Sequence, residues 1–182
     1  MIHRSADWSE RVLAFWFSLD PAQWFRTDEV LDQQLRRRFG RVHAALRDCP
    51  PESFLDSPRR ALAAVILFDQ FPRNLFRGLP EQFATDPLAL AISRDAIALG
   101  HDRDLNLDER TFLYMPFQHS EVLADQERAL ALFETLGDPE RLDFARRHHD
   151  VIARFGRFPH RNAALGRAST PAELAAGPVE PF

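Results

Sequence analysis

Apolar residues recur along this chain at helical spacing. Leu62, Val65 and Ile66 form one stripe, Leu123, Leu130 and Phe133 a second, and Leu142, Ala145 and Ile152 a third. Between the stripes, proline follows a capping residue again and again: Asp20-Pro21, Ser57-Pro58, Asp86-Pro87, Asp138-Pro139 and Thr170-Pro171. A side-chain oxygen before a proline marks a helix start, because the first turn has spare N–H groups and proline contributes none. Thr170 with Glu173 completes a capping box. Gly100, Gly137 and Gly156 fit helix ends. These signals predict helices over 8–18, 28–47, 58–70, 87–99, 108–115, 120–136, 139–155 and 171–176, with short turns around 21–25 and 160–165. No stretch alternates with period two, and hairpin dipeptides are missing. The pattern therefore predicts an all-α protein of about eight helices. Short loops imply antiparallel hairpins stacked as a bundle or a short helical array.

Polar residues interrupt four of the apolar faces. Asp69 continues the stripe of Leu62, Val65 and Ile66, and Asp95 falls among Leu88, Ile92 and Leu99. His119 and Gln126 share the face of Leu123 and Phe133, and His149 shares that of Leu142, Ala145 and Ile152. Buried polar groups need partners, and buried carboxylates need hydrogen bonds or cations. Two similar phrases offer them: "FPRN" at 71–74, followed by Arg77, and "FPHRN" at 158–162, preceded by Arg157. The expectation is that Asp69, Asp95, Gln126 and His149 form a buried polar network. Arg73, Asn74, Arg77, Arg157, Arg161 and Asn162 then either neutralise it or grip an anionic ligand. His119, His160 and Glu121 are the candidates for proton transfer.

Composition narrows the possibilities. The 182 residues suit one domain, read as 1–176 with a frayed tail at 177–182. Sixteen Phe and three Trp supply core material without help from metals or disulfides. A net charge of −4 argues against a nucleic-acid surface. The single Cys49 has no partner for an internal disulfide and reads as an inert thiol. Asp7, Glu10 and Arg11 interrupt any secretory apolar run, and no run approaches membrane-spanning length, so a cytoplasmic protein is expected.

Metal and phosphate-loop signals are weak. The adjacent His148 and His149 diverge on a helix and lack the i, i+4 spacing of helical metal sites. The stretch from Asp102 imitates a calcium loop but has Leu107 and Leu113 where glycine and glutamate belong. "RRR" at 36–38 reads as a solvated face balanced by Asp28, Glu29 and Asp32. No cofactor or metal is expected.

"VLAFWF" with Trp24-Phe25, "LFDQFPRNLFRG", "YMPFQHSE" with "DQE", and "FGRFPHRNAALGR" with "STPAE" resemble a bacterial family known as domain of unknown function 924. The likeness runs through nearly the whole chain in the family's order. It departs at Phe68, ahead of Asp69, and at Gln118, where an acid is more usual. The resemblance implies a tetratricopeptide-like stack of helices and carries no catalytic residue with it. The leading functional expectation is a polar Arg/His/Asn cleft that binds, and in a stronger form acts on, a small anionic molecule. Its rivals are a tetratricopeptide-like module for a peptide or protein partner and a metal-dependent hydrolase uniting His119 with His149.

Overall fold

The computed structural model describes residues 8–179, which leaves 1–7 and the 180–182 end of the expected frayed tail outside it. The capping signals fix the helix starts. Asp28 accepts from the amides of Val30 and Leu31 to open α3, Glu29–Leu46, after α1 (Trp8–Trp16) and the short α2 (Pro21–Trp24). Ser57 caps α4, Pro58–Val65, and Asp138 caps α9, Pro139–Phe155. Thr170 and Glu173 close their reciprocal box on α10, Pro171–Ala176. Gly156 ends α9 at φ 69°, a left-handed turn that costs glycine little.

Two prolines fail to stop their helices. The segment after α4 widens into a π-helical turn, Ile66–Gln70, and continues as α5, Phe71–Leu75. "FPRN" therefore lies inside a rod spanning 58–75 and is not a turn after it. Pro72 has no N–H for the carbonyl of Phe68, and the Thr85 hydroxyl donates to that carbonyl instead, at 2.6 Å. Likewise α7, Leu107–His119, runs through Pro116, so His119 ends a helix where the sequence pattern has it beginning one. α6 spans Asp86–Ala98 and α8 Leu123–Glu134.

The rod is the centre of the molecule. α4 packs on α1, α6 and α7, while α3 lies along α5. Beyond α6 the chain stacks consecutively, with α7 on α8 and α8 on α9 joined by short loops that make them antiparallel. Every residue of the π turn is buried. Trp16 packs its ring 5.6 Å from Phe71 and 5.5 Å from Phe112, joining α1 to the rod and to α7. The described residues form an all-α protein of stacked helices. None of their helices is long and apolar enough to cross a membrane.

Two expected inward faces are rotated. In α6 the buried positions are Ala89, Ile92, Ser93 and Ala96, so Asp95 points outward and is exposed. Small residues let α6 approach α4 closely, and the larger Leu99 stays 61% exposed. In α9 the buried positions are Ala145, His148 and Ile152. His149 sits one position off that face and pairs with Asp150 at 3.2 Å.

Candidate functional site

The polar residues sort into three clusters that differ in how completely they are bonded. In the first, Asp32 on α3 accepts from Asn74 Nδ2 at 2.7 Å and from Arg77 Nε and Nη2 at 2.9 and 3.0 Å. Burial alone would raise the Asp32 carboxyl, but the hydrogen bonds from Arg77 and Asn74 outweigh it and hold the carboxyl below its usual range. Asn74 and Arg77 thus clamp α3 to α5, and Arg77 has a bidentate carboxylate of its own.

The second cluster ties down the C-terminal segment. Arg157 donates to both oxygens of Glu173, at 2.6 and 2.8 Å, and Asn162 adds a bond at 3.0 Å. Glu121 accepts from Arg167 at 2.7 and 2.9 Å and from the amide of Phe158 at 2.7 Å. Burial pushes the Glu121 carboxyl up, but Arg167 and the Phe158 amide pull it below the ordinary range, so it stays ionised and engaged. Glu121, Arg157 and Asn162, named in the sequence reading for proton transfer and ligand contact, are each engaged here in bonds that tie down the C-terminal segment. Glu173→Gln is expected to loosen α10 and speed amide exchange over 163–176 by about tenfold or more. Exchange unchanged from the parent, measured by mass spectrometry, would show that another contact holds α10.

The third cluster surrounds the π turn. Asp69, wholly buried, accepts from His119 Nδ1 at 2.7 Å and from Gln70 Nε2, with Arg73 Nη2 at 3.5 Å. Burial would raise its carboxyl, yet His119 and Arg73 keep it ionised and low. Arg73 bonds both oxygens of Asp86, at 3.0 and 3.3 Å, and the carbonyl of Gln82 at 3.3 Å. Arg161 reaches the same carboxylate from the "FPHRN" turn, but at 3.4 Å, and donates to the carbonyl of His119 at 2.9 Å. The two phrases thus meet at Asp86. The Asp86-Pro87 pair marks the start of α6, yet Asp86 does not cap it: Thr85 holds the cap position, and the Asp86 carboxylate serves the two arginines.

Arg161 is the least satisfied cation of the cluster. It is 7% exposed, and its Nε has no hydrogen-bond partner among the described residues. Its guanidinium lies 4.6 Å from the ring centres of both Phe83 and Phe158. Burial, then the neighbouring Arg73, lowers Arg161 to about 10. Three imidazoles adjoin it. His160 packs 5.5 Å from Phe158, and its Nδ1 is buried without a partner among the described residues. His148 packs 5.7 Å from Phe158 and 5.9 Å from His119. Burial is the main cause that lowers His160 to about 4 and His148 to about 3, with nearby arginines and imidazoles adding to it.

Gln126 is wholly buried as expected, but it donates to the carbonyls of Gln118 and Ser120 and so braces the loop after α7. The periodicity missed His148, although its own spacing from Ala145 and Ile152 admits it equally well. Asp32, Phe83, Asp86, Arg167 and Glu173 carried no distinguishing local signal beyond caps and charge. Among the described residues no group of three or more His, Cys, Asp or Glu side chains could hold a metal ion. His119 meets His148, 5.9 Å between ring centres, and not the His149 that the metal-dependent reading paired it with.

Fold and polar centre together define an all-α stacked-helix protein with a cluster of charged, largely buried side chains around the π turn. Residues 12–176 match the model of a family described as a bacterial protein of unknown function (DUF924), and the chain belongs to that family. A solved structure, that of the protein of unknown function ATU0120 from Agrobacterium tumefaciens, is 41% identical. The likeness covers 92% of this chain and 95% of that one, with a TM-score of 0.85. No curated protein matches the chain.

Proposed function

We propose that this protein binds a small anionic ligand at the corner formed by Arg161, His160 and His119. The observation that carries the reading is the unequal treatment of its arginines. Arg77, Arg157 and Arg167 each hold a bidentate carboxylate. Arg161 is buried with one carbonyl, a distant share of Asp86, and an Nε lacking a partner among the described residues. A buried cation so incompletely paired stores a desolvation cost that an incoming oxyanion relieves. The flanking Phe83 and Phe158 rings exclude water and strengthen any charge-assisted bond formed there. Arg73, Asn74, Arg77, Arg157 and Asn162, by contrast, serve as supports. The lone Cys49 and acidic balance fit a cytoplasmic setting for such binding.

A thermal-shift series tests this directly. Phosphate, sulfate and acetate are compared with chloride at matched ionic strength. At roughly ten times its dissociation constant, a bound anion is expected to raise Tm by about 3–6 °C. Arg161→Gln should abolish the shift. If none of the three anions shifts Tm, or the variant responds like the parent, the proposal is wrong.

A further inference from the structure

We infer that a second site, separate from the anion corner, takes a small apolar amine: a primary ammonium group carrying an aromatic or branched alkyl tail. The site is a cleft of about 460 Å3 formed by α1, α2 and the starts of α4 and α7. That volume falls within the range of about 300–1,000 Å3 usual for small-molecule sites. Glu109 on its wall and His119 in the central cluster stand near opposite ends of α7, about 15 Å apart along the helix axis. The cleft has an apolar wall and a charged one. Leu13, Phe17, Leu19 and Trp24 make the apolar wall. The rings of Phe17 and Trp24 stand nearly at right angles, at 83°, with centres 6.0 Å apart. The one polar atom of the Trp24 ring, Nε1, donates to the carbonyl of Trp16 at 2.9 Å. The rest of that ring is apolar and π surface, which attracts a cation as well as a hydrocarbon tail.

The charged wall is Arg59, Asp108 and Glu109. Arg59 gives its Nε and Nη2 to the two oxygens of Glu10, at 2.8 Å each. Arg141, which pairs with Asp108 at 2.6 Å, is matched again by Asp138 at 3.0 Å. Glu109 is the acid left over. Its side chain is only 14% exposed, and its Oε2 accepts from the amide of Asn106 at 3.0 Å. Its Oε1 lies 3.7 Å from Arg59, outside hydrogen-bond reach. The amide of Glu109 in turn goes to Asn106 Oδ1, so this reciprocal cap absorbs two of the donors that would draw an anion to the start of α7. An ammonium group bonded to Oε1, with its tail against Phe17 and Trp24, satisfies both walls at once. A carboxylate would find Arg59 already taken by Glu10 and two like charges beside it. A neutral alcohol would leave the surplus charge of Glu109 unmatched.

Phenethylamine, phenylacetate and phenethyl alcohol share a ring and differ in charge at pH 7.5, so they make the decisive set. Each is titrated into the full chain while the indole N–H signal of Trp24 is followed by heteronuclear NMR. Phenethylamine is expected to move that signal to saturation, with a dissociation constant at least about fivefold below those of the other two. Glu109→Gln should weaken amine binding about tenfold. Glutamine can still accept from the Asn106 amide, so the cap on α7 is kept in the variant. Phenylacetate or phenethyl alcohol binding as tightly as the amine overturns the inference, and so does a Trp24 signal that none of the three moves. Amine affinity unchanged in Glu109→Gln overturns it as well. The comparison in the parent protein decides the matter even if the variant folds poorly.

Discussion

Replacing Asp69 with alanine is expected to destabilise the fold by about 3–5 kcal/mol, the usual cost of stripping one partner from a buried ionic cluster. The residue is 0% exposed and sits in the middle of the rod, where its carboxylate serves His119, Gln70 and Arg73. Alanine would leave the His119 and Gln70 donors facing a dry gap. Arg73 would keep Asp86, so the loss falls mainly on the side facing α7. Asp95→Ala is the matched control, because that carboxylate is exposed on α6 and should change stability by no more than about 0.5 kcal/mol. Urea unfolding with midpoint and slope fitted separately measures both. A loss at Asp69 below about 1 kcal/mol would mean that the cluster repacks around the missing charge.

Acid should weaken the protein in two stages that different side chains control. His43, His148 and His160 are lowered from 6.5 to about 4, 3 and 4, chiefly by burial. A histidine whose folded value lies below its unfolded one resists protonation in the fold. Its contribution is complete above about pH 6.5 and is lost as pH falls towards the folded value. In that window each such histidine adds a slope of up to about 1.4 kcal/mol per pH unit. The carboxylates Asp69 and Glu121 are depressed instead, so they hold their contribution until the pH drops below about 4 and lose it only then. His43 separates the stages cleanly. It is 2% exposed, lies between the rings of Phe68 and Phe76 at 5.8 and 5.5 Å, and is remote in sequence from the central cluster. His43→Leu is expected to flatten the stability slope near pH 5 by about 1.4 kcal/mol per unit. Denaturation curves at pH 7.5, 6 and 5 that keep the parent slope would show that His43 takes up its proton without unfolding.

The sequence announces helix beginnings well because a cap and its amides are neighbours in the chain. Asp20, Ser57, Asp138 and Thr170 each act on residues two or three positions ahead, and all four were legible. Helix continuations were not. Pro72 and Pro116 read as stops, since the chemistry that lets the chain run through them lies elsewhere. For Pro72 it is the hydroxyl of Thr85, 17 residues along from the carbonyl it satisfies. The site was half legible for the same reason. That Arg73, Arg161, Asp69 and His119 would converge followed from polar residues on apolar faces and from two cationic phrases. That Arg77 would spend its charge on Asp32, or Arg157 on Glu173, depended on which helices become neighbours. His148 and His149 differ by one position, and the packing of His148 on Phe158 and His119, brought in from other elements, distinguishes them.

The π turn has a consequence for chain length. Five residues occupy it, Ile66–Gln70, and closing it into ordinary α-helix by losing one of them would rotate everything beyond by about 100°. Arg73 would swing away from Asp86, while Asn74 and Arg77 would swing away from Asp32, parting α3 from the rod at the same stroke. The stretch therefore acts as a phase setting between two halves of one helix. Its spacing, as much as its composition, brings the "FPRN" arginine to the carboxylate it shares with the other phrase.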